Sequence, residues 1–224
     1  MEPKSLDHVA LWVADRDAIA EFAVAHLGMH MIERTDRFTL IGSDARRGKL
    51  TLFEADGPRE PGALGGIGLR VSDLERALAA LPDGAGPELD GGEGLRVRLV
   101  EAPTEVDYDL DHVALVVSDP ERAARDWLPL GFSPAPPRDG VPRVEVAGAF
   151  LELREGDPGD VDRPLLNHLG LLVESADDWR QRADEAGVEI ADVVDAPNTF
   201  AVFVWGPERV KLEYVEHKPT FALR

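Results

Sequence analysis

One short phrase, written four times, constrains this chain more than any other feature. Leu6-Asp7-His8-Val9-Ala10-Leu11-Trp12-Val13 returns as Leu110-Asp111-His112-Val113-Ala114-Leu115-Val116-Val117. It returns again as Leu166-Asn167-His168-Leu169-Gly170-Leu171-Leu172-Val173, with a fainter copy at Gly65-Gly66-Ile67-Gly68-Leu69-Arg70-Val71. Each phrase is apolar and rich in β-branched residues, as a buried strand is. Each is followed by an acidic or hydroxyl residue and then a helix-like stretch. The chain therefore reads as four like modules, over about residues 6–58, 64–103, 110–156 and 165–217. Function is to be sought where the copies differ.

Local signals repeat with the phrase. Asp15 caps a helix reaching Leu27, and Gly28 ends it. Ser72-Asp73 caps a helix over Leu74–Leu81. Ser118-Asp119-Pro120 opens another, with proline in the first turn, where its missing N–H costs nothing, and Gly131 closes it. Ser175 with Asp178 resembles a capping box for a helix ending near Ala186 and Gly187. Short alternating segments follow each helix, among them 38–41, 49–53, 95–100, 144–146, 149–153, 200–205 and 210–215. Turn-rich breaks stand at 57–62, 82–87 and 156–160. The order strand, helix, then about three strands gives an α+β chain.

Charge and cysteine narrow the function classes. Lys and Arg number 24 against 43 Asp and Glu, a net charge of −19. Such a surface repels nucleic acid and anionic lipid, so neither is expected as a partner. No cysteine is present, which excludes disulfides, zinc thiolates and a thiol nucleophile and suits a cytoplasmic location. No apolar run reaches the roughly 18 residues of a membrane span.

The last strand of each module, aligned by its exit, carries the informative differences. Modules three and four place Glu152 and Glu213 where modules one and two place Thr51 and Arg98. The first-strand positions are His8, Gly66, His112 and His168. The later half thus keeps two imidazoles and two carboxylates. The earlier half keeps one imidazole and sets a cation where a metal would want an anion. Two His and one carboxylate leave open positions on a divalent ion and point to non-haem iron(II). By the same reading His8 is a relic or core histidine, Glu54, Glu101, Glu155 and Glu216 are surface charges, and Phe200, Phe203 and Trp205 pack the core.

In module order, duplication and His/Glu placement, the chain resembles the vicinal oxygen chelate superfamily. That group includes glyoxalase I, bleomycin-resistance proteins, methylmalonyl-CoA epimerase and type I extradiol dioxygenases. The resemblance implies four βαβββ modules in two pairs, each pair an eight-stranded, curled, half-open barrel with helices outside. Residues 1–104 would form an N-terminal pair without metal, and residues 105–224 a C-terminal pair carrying it. His112, His168 and Glu213 match the three-ligand set of the extradiol enzymes, and Glu152 matches the fourth ligand of the glyoxalase-like enzymes and epimerases. Glu152 and Glu213 are then the candidate catalytic carboxylates. The layout favours a dioxygenase using iron(II) on a small substrate with adjacent oxygens. A four-ligand lyase or epimerase using Ni, Zn, Co or Mn stands next, then a metal-free ligand-binding protein of the bleomycin-resistance type. A homodimer is compatible with each.

Overall fold

The computed structural model describes residues 2–45, 47–82 and 84–221. Met1, and Asp83 in the break expected at 82–87, lie outside the described residues. Module one runs β1 (Ser5–Val13), α1 (Arg16–His26), β2 (His30–Arg34), β3 (Phe38–Gly42) and β4 (Lys49–Glu54). Module two runs β5 (Leu64–Val71), α2 (Leu74–Ala79), β6 (Glu88–Asp90) and β7 (Arg96–Glu101). Module three runs β8 (Asp109–Val117), α3 (Pro120–Trp127), β9 (Ser133–Arg138), β10 (Val141–Val146) and β11 (Ala149–Glu155). Module four runs β12 (Leu166–Leu172), α4 (Ala176–Ala186), β13 (Ile190–Asp195), β14 (Thr199–Trp205) and β15 (Lys211–His217).

The helices begin where the caps stand. The carboxylates of Asp15, Asp73 and Asp119 accept the N–H groups of Ala18, Arg76 and Arg122, each at 2.9 Å. Ser175 accepts that of Asp178 at 3.2 Å. Gly187 closes α4 in the left-handed region, at φ 67°, where a side chain would be strained. The strands that local patterning does not single out are the four at the sheet edges, β2, β6, β9 and β13. Edge strands face solvent on more than one side and lose strict alternation. Strand β9 even carries Pro134, Pro136 and Pro137, tolerated because an edge can forgo N–H donors.

The strands form two open sheets. The first has the order β13-β14-β15-β12-β1-β4-β3-β2, and the second β6-β7-β5-β8-β11-β10-β9. Among the described residues the second has seven strands rather than the expected eight, because module two supplies three. Module one therefore pairs with module four, and module two with module three. This corrects the expected assignment of residues 1–104 to one curled sheet and 105–224 to the other. The seams are antiparallel pairs of first strands, β1 with β12 and β5 with β8. All four copies present nearly the same phrase, so adjacency in sequence gives no copy an advantage. The halves of the chain are tied differently. Glu93 of module two accepts the N–H groups of Ala14 and Asp15, both at 2.7 Å. Glu208 of module four accepts that of Ser118 at 2.9 Å.

Each first strand also carries one bulge residue, skipped in the cross-strand register: Asp7, Gly65, Asp111 and Asn167. A bulge re-aims the side chains beside it. Along β1, Val9, Leu11 and Val13 are wholly buried with Ile19, Ala20 and Ala23 of α1 in the apolar cluster. Strand alternation gives His8, Ala10 and Trp12 the opposite face. No helix among the described residues is long and apolar enough to cross a membrane.

Candidate metal centre

On that opposite face of the first sheet, three donors converge from two modules. Nε2 of His8 lies 3.0 Å from Nε2 of His168 and 3.0 Å from Oε2 of Glu213. Nε2 of His168 lies 3.1 Å from the same oxygen. The register explains the meeting. His8 on β1 stands opposite Gly170 on β12, and Gly170 stands beside Glu213 on β15. Gly170 is needed there, because a Cβ at that position would lie 2.3 Å from Cε1 of His8. The imidazole occupies the space a side chain would fill.

The bulge residues hold the rings. Oδ2 of Asp7 is 2.9 Å from Nδ1 of His8, and Oδ1 of Asn167 is 3.0 Å from Nδ1 of His168. An acceptor at Nδ1 fixes a proton there and makes Nε2 the nitrogen that offers its lone pair once deprotonated, as ligand histidines need. Asp7 is itself held by the buried Lys49 ammonium, whose Nζ donates at 2.8 Å.

The donor set fits a divalent cation. Oε2 of Glu213 is buried yet has no hydrogen-bond partner of acceptable direction. An orphaned carboxylate oxygen between two imidazole nitrogens is what an ion would satisfy. With ligand bonds of about 2.1 Å, neighbouring donors lie about 3.0 Å apart on an octahedron and about 3.4 Å on a tetrahedron. The observed edges are those of one octahedral face. The chain's charges prepare the same place. Burial opposes ionisation of Glu213, but His168 and His8 beside it hold its carboxyl far below the usual range. Burial also opposes the charged form of His8, and the carboxylates of Asp7 and Glu213 overcome it, raising the imidazole to about 9. Burial lowers His168, with Glu213 acting the other way.

The residues expected to act together are divided between the sheets. His168 and Glu213 meet as expected, but His8, read as a relic, supplies the third donor. His112 and Glu152 lie in the second sheet, with Nε2 of His112 3.6 Å from Oε2 of Glu152. Glu152 is neutralised by Arg154, whose Nη2 donates to it at 3.1 Å. The contrast between a dead first half and a live second half therefore does not describe the molecule. The place in the first sheet equivalent to Glu152 is Thr51, since Ala10 registers with Thr51 as Ala114 does with Glu152.

Aromatic side chains flank the triad. Phe203 and Phe53 set their rings 5.2 and 6.1 Å from that of His168, and Trp12 lies 5.4 Å from Phe53. Phe203, expected in the core, thus borders the site. Along the same strands opens a cleft of about 750 Å³ whose lining includes Trp12, Leu166, Trp205 and Lys211. Burial lowers the Lys211 ammonium from its ordinary value.

The family model of the Glyoxalase/Bleomycin resistance protein/Dioxygenase superfamily matches residues 5–91. The strand–helix–strand unit matched there is the one repeated through the rest of the chain. Over those residues the chain is similar to this superfamily. Solved structures agree in fold along nearly the whole length. A chain from Bacillus subtilis subsp. subtilis str. 168, provisionally named a dioxygenase, is similar with a TM-score of 0.77 at 16% identity, over 97% of this chain and 86% of that one. Glyoxalase I from Zea mays is similar with a TM-score of 0.76 at 16% identity, over 94% of this chain and 92% of that one. The cppA protein from Streptococcus pneumoniae TIGR4 follows at 0.60 and 15% identity, over 96% and 98%. No curated protein matches. At these identities the likeness is one of fold.

Proposed function

We propose that this protein is a member of that superfamily and a divalent-metal-dependent enzyme that binds two adjacent oxygens of a small substrate, with chemistry of the dioxygenase type. The observation that carries the proposal is the three-donor face of His8, His168 and Glu213, with the hydroxyl of Thr51 where a fourth carboxylate would stand. Such a face leaves three neighbouring positions free on a six-coordinate ion. Those suffice for a bidentate substrate and dioxygen, the arrangement associated with iron(II). A bound ion would polarise the substrate oxygens and, as iron(II), supply the redox chemistry.

The chain's own groups have separable roles in this reading. Asp7 and Asn167 keep the two imidazoles in the ligating tautomer. Lys49 balances the charge of Asp7. Glu213 is both donor and the carboxylate nearest the reacting atoms, while Glu152 has no part. Phe53 and Phe203 narrow the floor and exclude water, and Trp12 borders the adjoining cleft, where Arg209 and Lys211 cover Trp205. A reducing cytoplasm suits both ferrous iron and a chain without cysteine.

The test is metal analysis of protein purified without chelator, followed by oxygen uptake with catechol under iron(II). Uptake with a yellow ring-opened product, lost in His8→Ala and kept in His112→Ala, is the expected result. Bound metal with no uptake, and turnover of a hemithioacetal under nickel instead, would assign the site to a lyase. Absence of bound metal, unchanged by His8→Ala, would reject the centre itself.

A further inference from the structure

The second sheet repeats the geometry of the first with other residues. His112 registers with Gly68 as His8 does with Gly170, and Gly66 with Ala114 as His168 does with Ala10. Arg98 registers with Gly68 as Glu213 does with Gly170. An imidazole has therefore been reduced to a glycine, and a carboxylate replaced by a guanidinium. The first change opens space and the second reverses the charge.

The result is a cleft of about 470 Å³ whose lining includes Gly66, Arg96, Arg98, His112 and Arg154. At its floor the His112 ring is 3% exposed, with Nδ1 held by Asp111 at 2.8 Å. Its Nε2 lies 3.6 Å from Glu152, beyond hydrogen-bond reach. Arg154 is engaged with Glu152 through one nitrogen, which leaves further donors free. Glu88 and Asp90 line the same cleft and register directly across from Arg98 and Arg96, yet neither arginine makes an ion pair among the described residues. In a chain with 43 acidic and 24 basic residues, a cleft lined by three guanidinium groups against two exposed carboxylates is out of keeping with the surface.

We propose that this cleft is a second binding site, free of metal, for the carboxylate or phosphoryl group of a small molecule. Arg96, Arg98 and Arg154 supply forked donors that match either oxyanion, and His112 closes the floor. The site is independent of the chemistry assigned to the first sheet.

Calorimetric titration of the purified chain with inorganic phosphate and with succinate tests it. The expected result is one saturable site per chain for at least one of the two anions, and the tighter ligand identifies the class. Arg96→Gln and Arg98→Gln should each weaken that binding fivefold or more with little change in Tm, since each loses only an unbonded cross-strand charge neighbour. His8→Ala should leave it unchanged. No saturable binding of either anion, an unaltered affinity in the double arginine variant, or a loss in His8→Ala would each overturn the proposal.

Discussion

Gly170→Ala perturbs the triad without replacing any of its members. The added Cβ would lie 2.3 Å from Cε1, 2.5 Å from Nδ1 and 2.8 Å from Nε2 of His8. Non-bonded carbons rest at about 3.5 Å or more, so the ring must retreat by roughly 1.2 Å. Ligand atoms tolerate displacements of only about 0.2 Å, so His8 would leave the coordination sphere. Displacing a ring in this way costs on the order of 1–3 kcal/mol in stability. Metal affinity should fall by about 100-fold, the upper end of what misplacing a ligand's support costs. The second sheet provides the control. A Cβ on Gly68 would lie 2.1 Å from His112, so Gly68→Ala meets a like clash. It should destabilise comparably while leaving metal affinity at the wild-type value. Competition titration against a chromophoric chelator reads the affinity, and urea unfolding reads the stability. If Gly170→Ala bound metal normally, or Gly68→Ala lost it equally, the assignment of the triad to His8 would fail.

Three further outcomes follow from the same geometry. Thr51→Glu should restore a fourth carboxylate, tighten divalent-metal binding by about tenfold and suppress oxygen uptake, both measurable on one preparation. Lys49→Met strands the Asp7 carboxylate, which His8 and Lys49 hold at about 2 against the cost of burial. Urea unfolding should show a loss of about 3 kcal/mol, and a loss below about 1 would mean that water replaces the ammonium. Metal binding should also depend on pH in a defined direction. The His8 imidazole, raised from 6.5 to about 9, stabilises the metal-free protein fully below its ordinary value and loses that contribution as pH rises through about 9. An incoming ion must displace that proton, so affinity should climb about tenfold per pH unit from neutrality to about 9. Calorimetry in two buffers of different ionisation heat would count the proton, and a pH-independent affinity would refute its release.

Much of this was legible in the sequence, for reasons that are local. The Asp15, Asp73, Asp119 and Ser175 caps act within one turn of their helices, so the residues that make them are also the residues that announce them. His168 and Glu213 share a module, and the parallel pairing inside any copy brings its first and last strands together. The third donor depends on which first strands form the seam, and that choice is not local. Leu6–Val13 and Leu110–Val117 are nearly the same phrase, so either could have joined β12. His8 reads as inert because Thr51 and Arg98 leave its half without acids at the ligand positions. One available sign ran the other way. Glu152 and Arg154 are two apart on a strand and share a face, so an ion pair between them could be foreseen, and it removes Glu152 from any metal set. The edge strands lacked an alternating pattern because nothing packs on them from both sides.

The seam between β1 and β12 joins residues 160 positions apart, and the triad is complete only when β15 is in place. Synthesis on the ribosome delivers His8 early and Glu213 long after. A nascent chain that has finished modules one to three holds the second cleft whole but only a single donor of the first. Whatever ion the triad takes must therefore be acquired after translation has passed the β14–β15 hairpin.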